Sequence, residues 1–124
     1  MTAAWVHFNF FQRMMLRWRE LHPYNPVHVV RVPVALDAQR LRACIAERLE
    51  SLGLTGLSVD QGRWRYRFEG GPAAVELSVL AAGDDAQGLL SRTIEREFNR
   101  PFVAAAREQP FRFIAIDEGA AFLL

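Results

Sequence analysis

The sequence is poor in the features that usually announce a function. It has a single cysteine, Cys44, so no internal disulfide can form and a reducing compartment is the easier fit. No run approaches the ~20 apolar residues that a membrane span needs. Neither sign of charge dominates. Fifteen basic and 14 acidic residues leave a net charge of +1, which gives a nucleic acid or an anionic membrane little to hold. His7, His22 and His28 have no cysteine or carboxylate at ligand spacing, which argues against a zinc site. There is no Gly-x-Ser-x-Gly elbow, no Walker loop and no Gly-x-Gly-x-x-Gly turn, and no repeat or low-complexity segment. No metal or cofactor is expected. Residues 1–19 hold Arg13, Arg17 and Arg19 and no acid, but they lack the apolar core and small-residue cleavage site of a leader. A soluble, cytoplasmic protein is the expectation.

What is present reads as one globular domain. A chain of 124 residues, 51% hydrophobic and 23% charged, can bury roughly two-thirds of its unfolded surface. Trp5, Phe8, Phe11, Met15 and Trp18, with Met14 and Leu21 beside them, have helical spacing over Trp5–Leu21, and "HPYNP" stops that helix. Residues 1–22 are thus an N-terminal apolar helix and residues 27–124 an α+β lobe. The first strand spans Val27–Leu36, with Pro33 favouring an edge or a strand end. Asp37 caps a helix carrying Leu41, Cys44, Ile45, Leu49 and Leu52 on one stripe, and Gly53 closes it. Cys44 is therefore expected to be buried.

Leu57–Asp60, the turn Gln61-Gly62 and Arg63–Glu69 form a hairpin. In its second strand Trp64, Tyr66 and Phe68 alternate with Arg63, Arg65 and Arg67, giving an aromatic face and a basic one. The basic face is tempting for nucleic acid, but the aromatics point the other way, and a solvated sheet face is the simpler expectation. A strand over Ala74–Leu80 follows, in which Glu76 can meet an arginine across the strands. Asp84 or Asp85 caps a third helix with Leu90, Ile94 and Phe98 on one face, ended by Arg100-Pro101. Phe111–Ile116, the turn at Asp117-Glu118-Gly119 and Ala120–Leu124 make a terminal hairpin. The adjacent acids read as a cap and a turn rather than a metal site. The order α, β, α, β, β, β, α, β, β predicts an α+β two-layer sandwich, with helices on one face of a largely antiparallel sheet.

Several stretches, taken in order, resemble the N-terminal half of condensation-type acyltransferases. That superfamily includes nonribosomal-peptide condensation domains, chloramphenicol acetyltransferase and polyketide-associated acyltransferases. Tyr24-Asn25 precedes the first strand. Val30–Leu36 runs into "LDAQRLRACIAERL", similar to the family's strand and Leu-Asp-x-x-x-Leu helix start. "EFNRPFVAAAREQPFRFIAIDEGAAFLL" resembles its Asn-x-Pro-Phe segment, Pro-x-Arg strand and Phe-x-Leu strand. Two departures stand out: "LESLGLTGLSV" replaces the usual Arg-His-x-x-Leu-Arg, and the aromatic N-terminal helix is unlike the family's tunnel opening.

The resemblance implies a front lobe of a two-lobed enzyme that moves an acyl group from a thioester to an amine or alcohol. In the family, the strand matching Ala120–Leu124 leads into His-His-x-x-x-Asp-Gly, whose second histidine is the general base in a tunnel between the lobes. The chain itself would then carry no catalytic residue, and it is expected to be inactive alone. Arg112 matches the family's arginine on this strand, implying a structural ion pair near the active-site loop. Implied partners are the second lobe of the same enzyme and a carrier-protein or coenzyme-A thioester.

Two rival readings stay open. One is a self-contained module that dimerises through an open sheet edge or its apolar helix, with Trp5, Phe8, Phe11, Met15 and Trp18 as the interface. The other is a small-ligand binder using Trp64, Tyr66 and Phe68. An uncovered edge at Ala120–Leu124 and the apolar helix both predict that the chain is not a monomer, paired with a second lobe or a second copy.

Overall fold

The computed structural model describes residues 3–22, 25–102 and 110–124. Tyr24, and the linker 103–109 between the third helix and the terminal hairpin, lie outside the described residues. The element order is β1 (Val6–His7), α1 (Phe10–Leu21), β2 (Arg31–Val32), α2 (Ala38–Ser51), β3 (Leu57–Asp60), β4 (Arg65–Phe68), β5 (Leu77–Ala81), α3 (Ala86–Asn99), β6 (Phe113–Asp117) and β7 (Phe122–Leu123).

The class is α+β, as expected. Where one sheet is expected, however, the strands divide into two. A three-stranded sheet has the order β1-β4-β3, and a four-stranded sheet has the order β2-β7-β6-β5. All pairings are antiparallel except β5 with β6, which run parallel. A parallel pair needs a crossover connection, and α3 lies in it.

The core sits on the four-stranded sheet. Leu77, Ala115 and Phe122 form a buried cluster with Leu41 of α2 packed against it. Side chains alternate along β6, so Ile114 and Ile116 turn the other way, into a groove shared with Leu90 and Ile94 of α3. The two helices therefore line opposite faces of this sheet, not the single face expected, because both faces of β6 carry apolar side chains. Arg42 of α2 donates to the carbonyls of Val75 and Leu77 at 2.9 and 3.3 Å. It thereby satisfies acceptors at and just before the outer edge of β5, which no strand of the described residues pairs.

The terminal hairpin corrects one expectation. β7 is not an edge strand, because β2 covers it in the register Arg31↔Leu123 and Val32↔Phe122. Val30 and Leu124 extend the pairing with reciprocal backbone bonds of 2.7 and 2.8 Å. Of the predicted strand Val27–Leu36, only Val30–Val32 pairs with β7. Pro26 and Pro33 flank it and cannot donate.

Candidate functional site

Asn25, the residues that follow α3 and Arg112 meet at the C-terminal end of α3. A helix ends with carbonyls that have no intrahelical partner, and here two distant side chains supply donors. Asn25, itself buried, donates from Nδ2 to Glu97 O at 3.0 Å and also to Arg100 O. Arg112 lies just ahead of β6, and its guanidinium donates to Arg100 O at 2.9 Å and to Pro101 O at 3.2 Å. A cation at this end of a helix is favoured by the dipole.

The same guanidinium meets a carboxylate and a ring. Arg112 Nε lies 3.0 Å from Glu97 Oε2, with both side chains more than nine-tenths buried at 8% and 7% exposure. The N–H and the oxygen are not aligned for a hydrogen bond, so the contact is an ion pair held at close range. The Arg112 guanidinium also stacks over Phe102 with 4.0 Å to the ring centre. Arg96 Nε donates to Glu97 Oε1 at 3.1 Å, and Arg100 Nη1 lies 3.6 Å from the same oxygen. Arg100 also reaches Glu76 at 3.4 Å, so the expected arginine partner of Glu76 comes from beyond α3 rather than from a neighbouring strand. Cation and carboxylates are spent on one another, which suits a cluster that fixes geometry rather than one that moves a proton.

The cluster closes one end of a groove of about 450 Å³. Leu90, Ile94, Ile114, Ile116 and Leu123 form its apolar walls, and Thr93 and Glu97 lie toward the cluster. Among the described residues, no three His, Cys, Asp or Glu side chains gather as a metal site would require. No helix of the described residues is long and apolar enough to cross a membrane.

The other candidate residues fall elsewhere. Arg65 and Arg67 are not a solvated basic face. Each guanidinium stacks on Trp5 at 4.4 Å, and Arg65 Nε also bonds Asp60 Oδ2 at 3.1 Å. Trp5 is accordingly outside α1, half-buried between two arginines. Phe8 packs on Tyr66 with ring centres 4.9 Å apart, and Tyr66 meets Phe68 edge-on at 6.3 Å. Tyr66 and Phe68 thus belong to a small aromatic cluster partly covered by Phe8. Trp64 is separate: it holds a left-handed φ of 51° and lies under the Arg17 guanidinium at 5.3 Å.

The five proposed interface residues do not share one exposed surface. Trp5, Phe8 and Met15 are half-buried, and only Phe11 and Trp18 are exposed. Cys44 is exposed, contrary to expectation. Leu41 and Ile45 still turn inward on α2, so the stripe is narrower than its sequence suggested. His7, His22 and His28 are exposed at three separate places.

Sequence reasoning missed Glu97 and the role of Asn25. The available signal was Glu97 itself, spaced with Leu90, Thr93 and Ile94 on the inner stripe of α3. A carboxylate at a core position implies a buried cation. No protein-family model, curated protein or solved structure matches this chain.

Proposed function

We propose that the chain is the non-catalytic N-terminal lobe of a condensation-like acyltransferase, in which the complete enzyme transfers an acyl group from a thioester to an amine or alcohol. One observation carries this reading. Asn25 lies 75 residues before Arg100, belongs to a different resembling stretch from the one that holds Arg100-Pro101-Phe102 and Arg112, and converges with them on one helix end. Unrelated coincidences in sequence have no reason to meet in space. The ion pair between Arg112 and Glu97 also fits the structural role that the resemblance implies for Arg112.

On this reading the lobe supplies a wall and a rigid frame. The acceptor must be deprotonated by a general base, and that base belongs to the His-His-x-x-x-Asp-Gly motif of the complete enzyme. Reading the codons that follow Leu124 in the gene tests the assignment. Continuation into such a motif and a second α+β lobe is expected. A stop codon, or a following sequence without that motif, would overturn it.

A further inference from the structure

Helix α1 begins at Asn9, whose side chain accepts from the Gln12 amide while Gln12 returns a bond to the Asn9 amide. That capping box fixes the helix start and with it the face each residue presents. Gln12, Met15, Leu16 and Arg19 are half-buried. Phe10, Phe11, Met14, Trp18 and Leu21 are exposed, Phe10 to 83% and Leu21 to 76%. At 3.6 residues per turn these five fall within about 100° of the circumference. Contiguous exposed apolar surface of this kind marks an interaction site.

The face is neither flat nor neutral. Phe10, Met14, Trp18 and Leu21 form a cleft of about 420 Å³ with Trp64, and the remaining lining residues are Arg13 and Arg17. Among the described residues no carboxylate lines it. The left-handed backbone of Trp64 costs free energy in a bulky residue, and it places the indole beneath Arg17. Helix α1 precedes the part of the chain that resembles acyltransferases, and Trp64 lies outside the quoted stretches that carry the likeness, so the inference below does not rest on that reading.

We propose that α1 and Trp64 form a docking cleft for an acidic amphipathic helix of a partner protein. Apolar side chains of the partner, spaced at i, i+3, i+4 and i+7, fill the cleft, and its flanking carboxylates meet Arg13 and Arg17. Charge selects this occupant. A second copy paired on this face about a two-fold axis, the commonest arrangement, would bring Arg13 and Arg17 close to their own equivalents, and like charges across an interface are costly. A lipid surface would be met by a concave cleft rather than a ridge, on a protein whose net charge is only +1.

Titration of the full chain with two labelled helical peptides of about 18 residues tests the proposal. Both carry leucine at the anchor spacing; one has flanking glutamates and the other flanking lysines. The glutamate peptide is expected to bind at least about tenfold more tightly, and the difference should shrink as salt rises. Arg13→Glu with Arg17→Glu should invert the preference. Because Arg13 also bonds Phe8 O at 3.0 Å, Trp18→Ser serves as a second variant, with the helix checked by circular dichroism. It should weaken the glutamate peptide at least about tenfold with no change in fold. Equal affinity for the two peptides, binding unaffected by Trp18→Ser, or binding only to phosphatidylglycerol vesicles would each overturn the proposal.

Discussion

Arg112 touches a carboxylate, three backbone carbonyls and an aromatic ring at once, and so ties the start of β6 to the end of α3 and the residues after it. Removing it leaves Glu97 buried with only the half-exposed Arg96 and Arg100 to offset it. Arg112→Ala is expected to cost about 3–5 kcal/mol in urea-induced unfolding, as breaking a buried pair does. Lysine cannot reproduce the planar fork, so Arg112→Lys should recover little of the loss. A change within 0.5 kcal/mol or so, the range of an ordinary surface substitution, would mean that the exposed arginines suffice.

Asp60 offers a pH test. Partial burial opposes its ionisation, but bonds from the Arg63 amide and Arg65, with the charges of both arginines, outweigh it and hold the carboxyl below its ordinary 3.8. A lowered folded value contributes stability above the unfolded value, and that contribution is lost as pH falls through the folded one. The thermal-stability gap between the native protein and Asp60→Asn should therefore be widest near neutral pH and close at pH values below 3.8. A constant gap would show that Asp60 acts through hydrogen-bond geometry alone. Cys44, being exposed, should react with thiol reagents about as fast in the folded protein as in denaturant.

At the scale of elements, the sequence was most legible where a backbone need had only one or two residue types to meet it. Asp37 and Asp85 cap α2 and α3 through bonds to the amides of Arg40 and Gly88. Gly53 takes the left-handed conformation after α2; the turn expected at Gln61-Gly62 is present but longer, running on through Arg63 and Trp64 so that Asp60 pairs with Arg65. Periodicity misled at the start of α1. Trp5 and Phe8 continue its spacing, yet Val6 and His7 pair with Tyr66 and Arg65 as a strand, and Asn9 resets the chain. Arg65 and Arg67 also escaped the pattern, because alternation sends them to the far face but does not reveal that Trp5 returns to cover them.

Gly56 tests this logic in a position nothing in the sequence singled out. Its φ is +66°, and an added Cβ would lie 2.5 Å from Gly70 O, at the open end of the β3–β4 hairpin, where the Glu69 amide bonds across to Gly56 O at 2.8 Å. Gly56→Ala should destabilise by about 1–3 kcal/mol and open the β3–β4 hairpin first in hydrogen exchange. An unchanged midpoint would show that the turn accommodates a side chain by shifting Gly70.

For the whole molecule, the α+β class and nearly every element were readable because caps, turns and alternation are local. The division into two sheets and the placement of β7 between β2 and β6 were not, since pairing partners are chosen by contacts remote in sequence. The cluster at the end of α3 has the same character: its members were visible, and their meeting was not. Acyl transfer by the full gene product, set beside residues 1–124 alone, tests the central claim most directly. Incubation with carrier-bound and coenzyme-A thioesters and with simple amine or alcohol acceptors should give turnover only from the full product. On the proposed reading that turnover is lost on replacing the second histidine of the His-His-x-x-x-Asp-Gly motif proposed to follow Leu124. Turnover by residues 1–124 alone that survives replacement of His7, His22 and His28 would contradict the account.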